Sequence, residues 1–358
     1  MTSTMSVIWR GFNYPACWYG PGPVRKGEEP REDDFTLAAK WGFNFIRIPV
    51  HHLFFEKEGI PRSYVEERLA YVDKAIEWCS KLGLHANLDM HFLPGYGITH
   101  LIHQIPITLW TSEEMLRRAE DIWRMLAERY REMGDFLSFN LINEPAGVDM
   151  KTYVKFVKRM VKAIREIDPD RIIIVDGINV SRTPVYGLED EELLFQSFHF
   201  YEPMWMTHLK ASWAHGPDVY EEVPKYPGEP PNMDNYLAKY ARDARRRGFF
   251  IRYRNMRADK NWIESKIMPW VEFREKTGTL IHCGELGIFP VRVDRVSMLN
   301  WYRDLLDVLE SYNIGWALWN LRGPFGIIET GREEFLTERL PNGDRLDGEL
   351  LRLLKNYL

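Results

Sequence analysis

The sequence predicts a single (β/α)8 TIM barrel, of class α/β, with a long insertion after its sixth strand. Three observations predict it: eight short apolar runs are spread over the 358 residues, amphipathic helical patterns fill the gaps between them, and no glycine-rich nucleotide fingerprint follows the first run. An open doubly wound sheet is the other architecture that such an alternation allows, and the missing fingerprint lowers it.

In chain order the runs are Val7 to Phe12, Phe43 to Pro49, His85 to His91, Leu137 to Asn143, Arg171 to Val175, Leu194 to Phe200, Thr279 to Gly284 and Ile314 to Trp319. Most are largely apolar, as befits strands of a parallel sheet covered on both sides. Helices are expected over Arg68 to Lys81, Ser112 to Tyr130, Ile263 to Lys276 and Val296 to Tyr312. Another carries Tyr153, Phe156, Val157, Met160, Val161 and Ile164, whose spacings of three and four trace one buried stripe. Thr111-Ser112-Glu113-Glu114 marks a helix start, because hydroxyls satisfy the unpaired first amides and acidic residues suit the positive end of the helix dipole.

One connection breaks the rhythm. From Tyr201 to about Asn261 the chain runs far beyond the roughly 2 to 6 residues usual between such elements. Pro224, Pro227, Pro230 and Pro231 precede a helix expected over Met233 to Arg246, whose last turn would be basic. Residues 201–261 are therefore expected to be an elaborated loop of one catalytic domain spanning 1–358. The Arg242 to Arg247 run reads as a solvated helix end, where cations suit the dipole, in preference to a contact with an anionic polymer.

Bulk properties bound the partners. Hydrophobic residues at 45% supply a core and 28% charged residues a soluble surface. A formal charge of -5 argues against a nucleic-acid or anionic-membrane partner and suits a neutral ligand. Cys17, Cys79 and Cys283 lack metal or disulfide spacing and read as reduced thiols. No apolar stretch is long enough to span a bilayer, and Met1 to Ser6 lacks the features of an export signal. The expected location is cytoplasmic for the sequence as it stands, or outside the cell if a leader has been removed. A monomer is the expected state.

The C-terminal ends of barrel strands face the active site, so the polar residues that fall there carry the functional reading. They are Arg47 in the second run, Asp89 and His91 in the third, Asn143 and Glu144 after the fourth, His199 and Tyr201 at the sixth, Glu285 at the seventh and Trp319 at the eighth. A buried ion pair accounts for Arg47 alone, a satisfied core imidazole for a single His, and core packing for Trp316. Their coincidence at equivalent ends of six strands is what core accidents do not explain. Two carboxylates, Glu144 in Asn143-Glu144-Pro145 and Glu285 in Gly284-Glu285-Leu286-Gly287, suit glycoside hydrolysis, in which one protonates the leaving oxygen and the other attacks the anomeric carbon. A metallohydrolase built on Asp89, His91 and His199 is the competing chemistry; no spacing matches the helical HExxH type, and no metal or other cofactor is expected.

Arg47 in RIPV, His91 in LDMH, the NEP triplet, His199 and Tyr201 in HFYEP, Glu285 in GELG and Trp319 in WALWN together resemble glycoside hydrolase family 5, the cellulase-type retaining glycosidases, over nearly the whole barrel. The resemblance implies that Glu144 is the general acid and base and Glu285 the nucleophile. It implies that Arg47 and Tyr201 hold Glu285 ionised, that His199 lies by the acid, that Asn143 binds the sugar 2-hydroxyl and His91 a neighbouring hydroxyl, and that Trp319 floors the reacting sugar. Trp18, Tyr19, Tyr96, Trp205 and Trp213 are candidate stacking surfaces for further sugars. The expected activity is endo-acting cleavage of β-1,4-glucan or glucomannan, followed in order by endo-β-1,4-mannanase, by exo-acting β-glucosidase or β-1,3-glucanase, and by a non-catalytic glycan-binding barrel.

Overall fold

The structure is a computed structural model that describes residues 8–289 and 293–358. Eight strands close into a barrel in chain order: β1 (Arg10–Asn13), β2 (Phe45–His51), β3 (His85–Phe92), β4 (Leu137–Asn140), β5 (Ile172–Asp176), β6 (Leu194–Phe200), β7 (Leu280–Leu286) and β8 (Gly315–Leu318). Pairing from β1 to β6 is parallel, with Asn13 opposite Arg47, Pro49 opposite Asp89, Asp89 opposite Asn140 and Asp176 opposite Ser197. The ring closes where the Trp316 amide donates to the Trp9 carbonyl at 2.8 Å. All eight expected strands are present; Val7, the expected start of the first, lies outside the described residues.

The helices are α1 (Glu32–Lys40), α2 (His52–Phe55), α3 (Glu66–Leu82), α4 (Ile98–His103), α5 (Glu113–Arg129), α6 (Met150–Arg165), α7 (Ile178–Ser181), α8 (Met204–Thr207), α9 (Met233–Lys239), α10 (Ala244–Tyr253), α11 (Lys260–Thr277), α12 (Arg295–Ser311) and α13 (Gly348–Lys355). Ser112 caps α5 as its sequence suggests, its hydroxyl accepting from the Met115 amide. The whole expected stripe of α6, from Tyr153 to Ile164, is buried.

The chain divides into two compact units. One holds everything up to His199 with Trp270–Gly284 and Gly315–Ala317, and so contains nearly all of the barrel's strand residues. At its N-terminal end the ring of Trp9 stacks on His85 at 4.0 Å and on Phe195 at 4.9 Å, within a cluster that includes Phe45, Ile172, Ile174 and Ala317. This apolar plug fills the barrel floor and leaves the opposite end for chemistry. Burial there holds the His85 and His282 imidazoles down at about 3, so both are neutral.

The other unit holds Phe200–Pro269, Glu285–Ile314 and Leu318–Leu358. Its insertion is elaborated as expected and carries α8, α9 and α10. The helix expected over Met233 to Arg246 is two helices, because the Asp243 carboxylate accepts from the Arg246 amide at 3.1 Å and caps a new start. The basic run thus stands at the beginning of α10, and the expectation that it favours a helix C-terminus is wrong. Arg246 is instead paired with Asp218 and Asp243. Glu202 ties the insertion together: its carboxylate accepts from Arg252 and Tyr253, and its carbonyl from Trp301 Nε1 at 2.9 Å.

Candidate active site

Within the first unit the polar groups converge at the C-terminal ends of β2 to β6. The β4 ladder stops at Asn140, yet the backbone beyond it stays laced to its neighbours. The Leu141 amide donates to Ile174 O at 3.1 Å, the Asn143 amide to Met90 O at 3.3 Å, and the Glu144 amide to Asp176 Oδ2 at 3.0 Å. Glu144 has φ of +48°, a left-handed conformation uncommon outside glycine, and Tyr96 Oη donates to its carbonyl. Its side chain, 13% exposed, reaches His199, with Oε1 and Nδ1 2.8 Å apart. Burial pushes the Glu144 carboxyl up, but the hydrogen bond and charge of His199, with His91 beyond, outweigh it and hold the carboxyl below its ordinary value.

Arg47, 1% exposed, is the hub beneath. Nε donates to Asn140 Oδ1 at 3.0 Å, Nη1 to Asn13 Oδ1 at 3.0 Å and Nη2 to Asn143 Oδ1 at 2.9 Å. Nη2 also lies 3.1 Å from Asp89 Oδ2 and 3.7 Å from Asp176 Oδ2. Because the Asn143 oxygen faces a cation, its NH2 group is the part that remains to donate. His91 Nδ1 meets the same Asp89 oxygen at 2.7 Å, and the Tyr19 ring lies 5.2 Å from its imidazole. Asp89 thus pairs with both Arg47 and His91, and His199 pairs with Glu144 and stands near Asp176.

The second unit carries the other carboxylate. Glu285, the penultimate residue of β7, is buried and accepts from Tyr201 Oη at 2.9 Å through Oε2. Aromatic rings continue outward from Tyr201. They run through His208 at 5.0 Å and Phe325 at 5.8 Å to Phe289, and end at Trp213, which is 40% exposed and edge-on to Phe289 at 5.0 Å. Trp319 is half-buried, its amide donates to Leu286 O at 2.7 Å, and the Trp319–Asn320 peptide is cis.

Some expectations need correction. Trp18, Tyr96 and Trp205 are fully buried and offer no stacking face; of the five rings named, Tyr19 and Trp213 keep exposure. Sequence reasoning also missed Asp176, Asn13 and Asn140, which complete the cage around Arg47. The signal existed: Asp176 follows the Ile-Ile-Ile-Val run directly, at the C-terminal end of β5.

A closed barrel with these polar strand ends is that of a glycoside hydrolase. The chain belongs to glycosyl hydrolase family 5: the family model described as Cellulase (glycosyl hydrolase family 5) matches residues 2–323. It is 33% identical to Endoglucanase C of Acetivibrio thermocellus over 81% of this chain and 83% of that protein. It is 24% identical to Cellodextrinase A of Ruminococcus flavefaciens over 79% and 76%. A solved structure described as a glycoside hydrolase superposes with a TM-score of 0.84 at 30% identity, covering 98% of this chain and 99% of that one. Among the described residues, no helix is long and apolar enough to cross a membrane.

Proposed function

We propose that the protein is a retaining, endo-acting glycanase that cleaves β-1,4-linked glucan or glucomannan. One observation carries the reading: the two carboxylates at the ends of β4 and β7 have unlike partners, an imidazole on Glu144 and a phenol on Glu285. An imidazole exchanges a proton at physiological pH, as a residue that must first give and then take a proton requires. A phenol only donates at that pH and keeps a nucleophile charged. Resemblance to Endoglucanase C supports the glucan assignment.

In the first step Glu285 attacks the anomeric carbon, the bond from that carbon to the bridging oxygen breaks, and Glu144 gives its proton to that oxygen. In the second, water attacks the same carbon, Glu144 takes its proton, and Glu285 leaves as carboxylate. Asn143 donates to the 2-hydroxyl, His91 binds a neighbouring hydroxyl, Arg47 and Tyr201 support the charged groups, and Trp319 floors the reacting sugar.

Product profiles on carboxymethylcellulose, glucomannan, mannan and laminarin, run beside Glu285→Gln, test the reading. Rapid viscosity loss on the first or second polymer, absent in the variant, is expected. Monosaccharide release without viscosity loss would refute endo action, mannan as the only substrate would refute the glucan assignment, and binding without cleavage would mean a lectin-like barrel.

A further inference from the structure

Asp176 is fully buried, lies at the C-terminal end of β5, and makes none of the contacts expected of a sugar-binding group. Its Oδ1 accepts from Asn140 Nδ2 at 3.1 Å. Its Oδ2 accepts from the Glu144 amide at 3.0 Å and Ser181 Oγ at 3.1 Å, and lies 3.3 Å from His199 Nε2. Glu144 is thus hydrogen-bonded to Nδ1 of the histidine, and the Asp176 carboxylate stands at ion-pair distance from the opposite ring nitrogen, Nε2, without hydrogen-bond geometry to it. We propose that Asp176 is a positioning residue which fixes the proton on His199 Nε2, and so ensures that the exchangeable proton of the acid/base pair sits between His199 Nδ1 and Glu144.

The argument is one of counting protons. An ionised carboxylate cannot donate, and its charge 3.3 Å from Nε2 favours an N–H there over a bare lone pair. Nδ1 then either bears a proton shared with the Glu144 carboxylate or accepts from a protonated Glu144. In both forms the pair holds the proton that the leaving oxygen needs. Without that charge near Nε2, a neutral imidazole can place its single proton on Nδ1 and satisfy an ionised Glu144, leaving no proton to deliver. A buried aspartate sets a histidine tautomer by the same logic in hydrolase triads.

The backbone around Asp176 supports the inference independently. Asn179, Val180 and Ser181 have φ of +61°, +61° and +54°, and Val180 is β-branched, a residue type for which this conformation is a clear outlier. Such strain persists where surrounding structure requires it. Here the Val180 amide donates to Pro145 O at 3.1 Å, locking the turn to the acid's own loop, and Ser181 Oγ is delivered onto Asp176. The other charged or titratable groups facing the set are Arg47 on β2, Asp89 and His91 on β3, Tyr96 after β3, Tyr153 on α6, whose hydroxyl donates to Asp176 O at 2.9 Å, and His282 on β7. None but Arg47 and His199 offers Asp176 a cation at contact distance among the described residues.

The inference rests on Glu144 being the acid/base, so Glu144→Gln is measured alongside. Asp176→Asn replaces the charge that favours an N–H by an amide that can donate to Nε2. The alkaline limb of kcat/KM, where the acid loses its proton, moves to lower pH. At neutral pH the rate on a poor leaving group such as phenyl β-cellobioside falls by about 100-fold or more, while a dinitrophenyl cellobioside, which needs no protonation, loses less than about 5-fold. Equal loss on both substrates with an unmoved limb would overturn the inference. Loss of the same leaving-group dependence in Glu144→Gln would instead overturn the acid/base reading beneath it. Ser181→Ala serves if Asp176→Asn does not fold: stripping one donor from Oδ2 strengthens its hold on the Nε2 proton, so the limb shifts to higher pH, and a stationary limb or one moving to lower pH refutes the proposal.

Discussion

Replacing Arg47 by methionine keeps most of the side-chain volume and removes the cation. The guanidinium touches three amide oxygens at 2.9 to 3.0 Å and stands 3.1 Å from Asp89 and 3.7 Å from Asp176. Breaking a buried ion pair from one side costs about 3–5 kcal/mol, because the remaining charge is stranded away from water. Each lost hydrogen bond from a charged donor is worth about 1.5–3 kcal/mol on its own, and such losses do not add, so about 3–5 kcal/mol is the expected minimum. The pH dependence has a definite sign. Burial pushes the Asp176 carboxyl up, and the charges of His199 and Arg47 hold it below its ordinary value. Without Arg47, burial is opposed by fewer charges; a carboxyl raised above its unfolded value costs stability at high pH, and protonation relieves that cost as pH falls. Urea unfolding of the two proteins near pH 7.5 and again near pH 5 should show the larger gap at the higher pH. A gap under about 1 kcal/mol, or one that widens on acidification, would refute the picture of Arg47 as the neutralising hub.

Glu144→Gln should lower turnover of poor leaving groups by about 100- to 10,000-fold, read from steady-state rates on a leaving-group series, and an even loss across the series would exclude general acid catalysis by this residue. Gly284→Ala would drive a Cβ to 2.3 Å from Ser197 Oγ and 3.4 Å from His199 Nε2. The expected cost is about 1–3 kcal/mol in thermal stability, together with a fall in kcat as the imidazole is displaced. Trp213→Ala should raise KM several-fold for long oligosaccharides while leaving short aryl glycosides unchanged, and equal effects on both would remove the ring from any extended sugar site. His85 and His282 are held by burial at about 3, below the unfolded value of about 6.5. The stability that they contribute is full above about pH 6.5 and is lost as pH falls toward 3, so the urea midpoint should decline over that window, and His85→Asn should flatten the decline.

What sequence could and could not reveal follows from where the information resides. β6 was legible to the residue, Leu194–Phe200, because an apolar run there is bounded by Glu-rich and Pro-containing segments. β4 was overrun by three residues, since Leu141 and Ile142 prolong the apolar run beyond the end of the ladder at Asn140. The break between α9 and α10 depends on Asp243 as a cap, a local signal overridden by the long basic and apolar pattern around it. The site's charged strand ends were legible because polar residues interrupt apolar runs. Asp176 carries the same signal, a polar residue directly after an apolar run, but the Asp-Gly pair equally suits a turn and so does not single it out. Which aromatic rings face solvent was not legible either: Trp205 and Trp213 lie in the same insertion, and tertiary packing buries one and leaves the other open.

The left-handed turn at Glu144 bears on transplantation. Its amide is anchored on β5 and its neighbour's on β3, so the Asn143-Glu144-Pro145 triplet is not a portable cassette. An engineer moving this carboxylate into another barrel would have to carry the Asp176 to Ser181 segment with it, and the smallest transferable piece of the arrangement is a wedge of three adjacent strands.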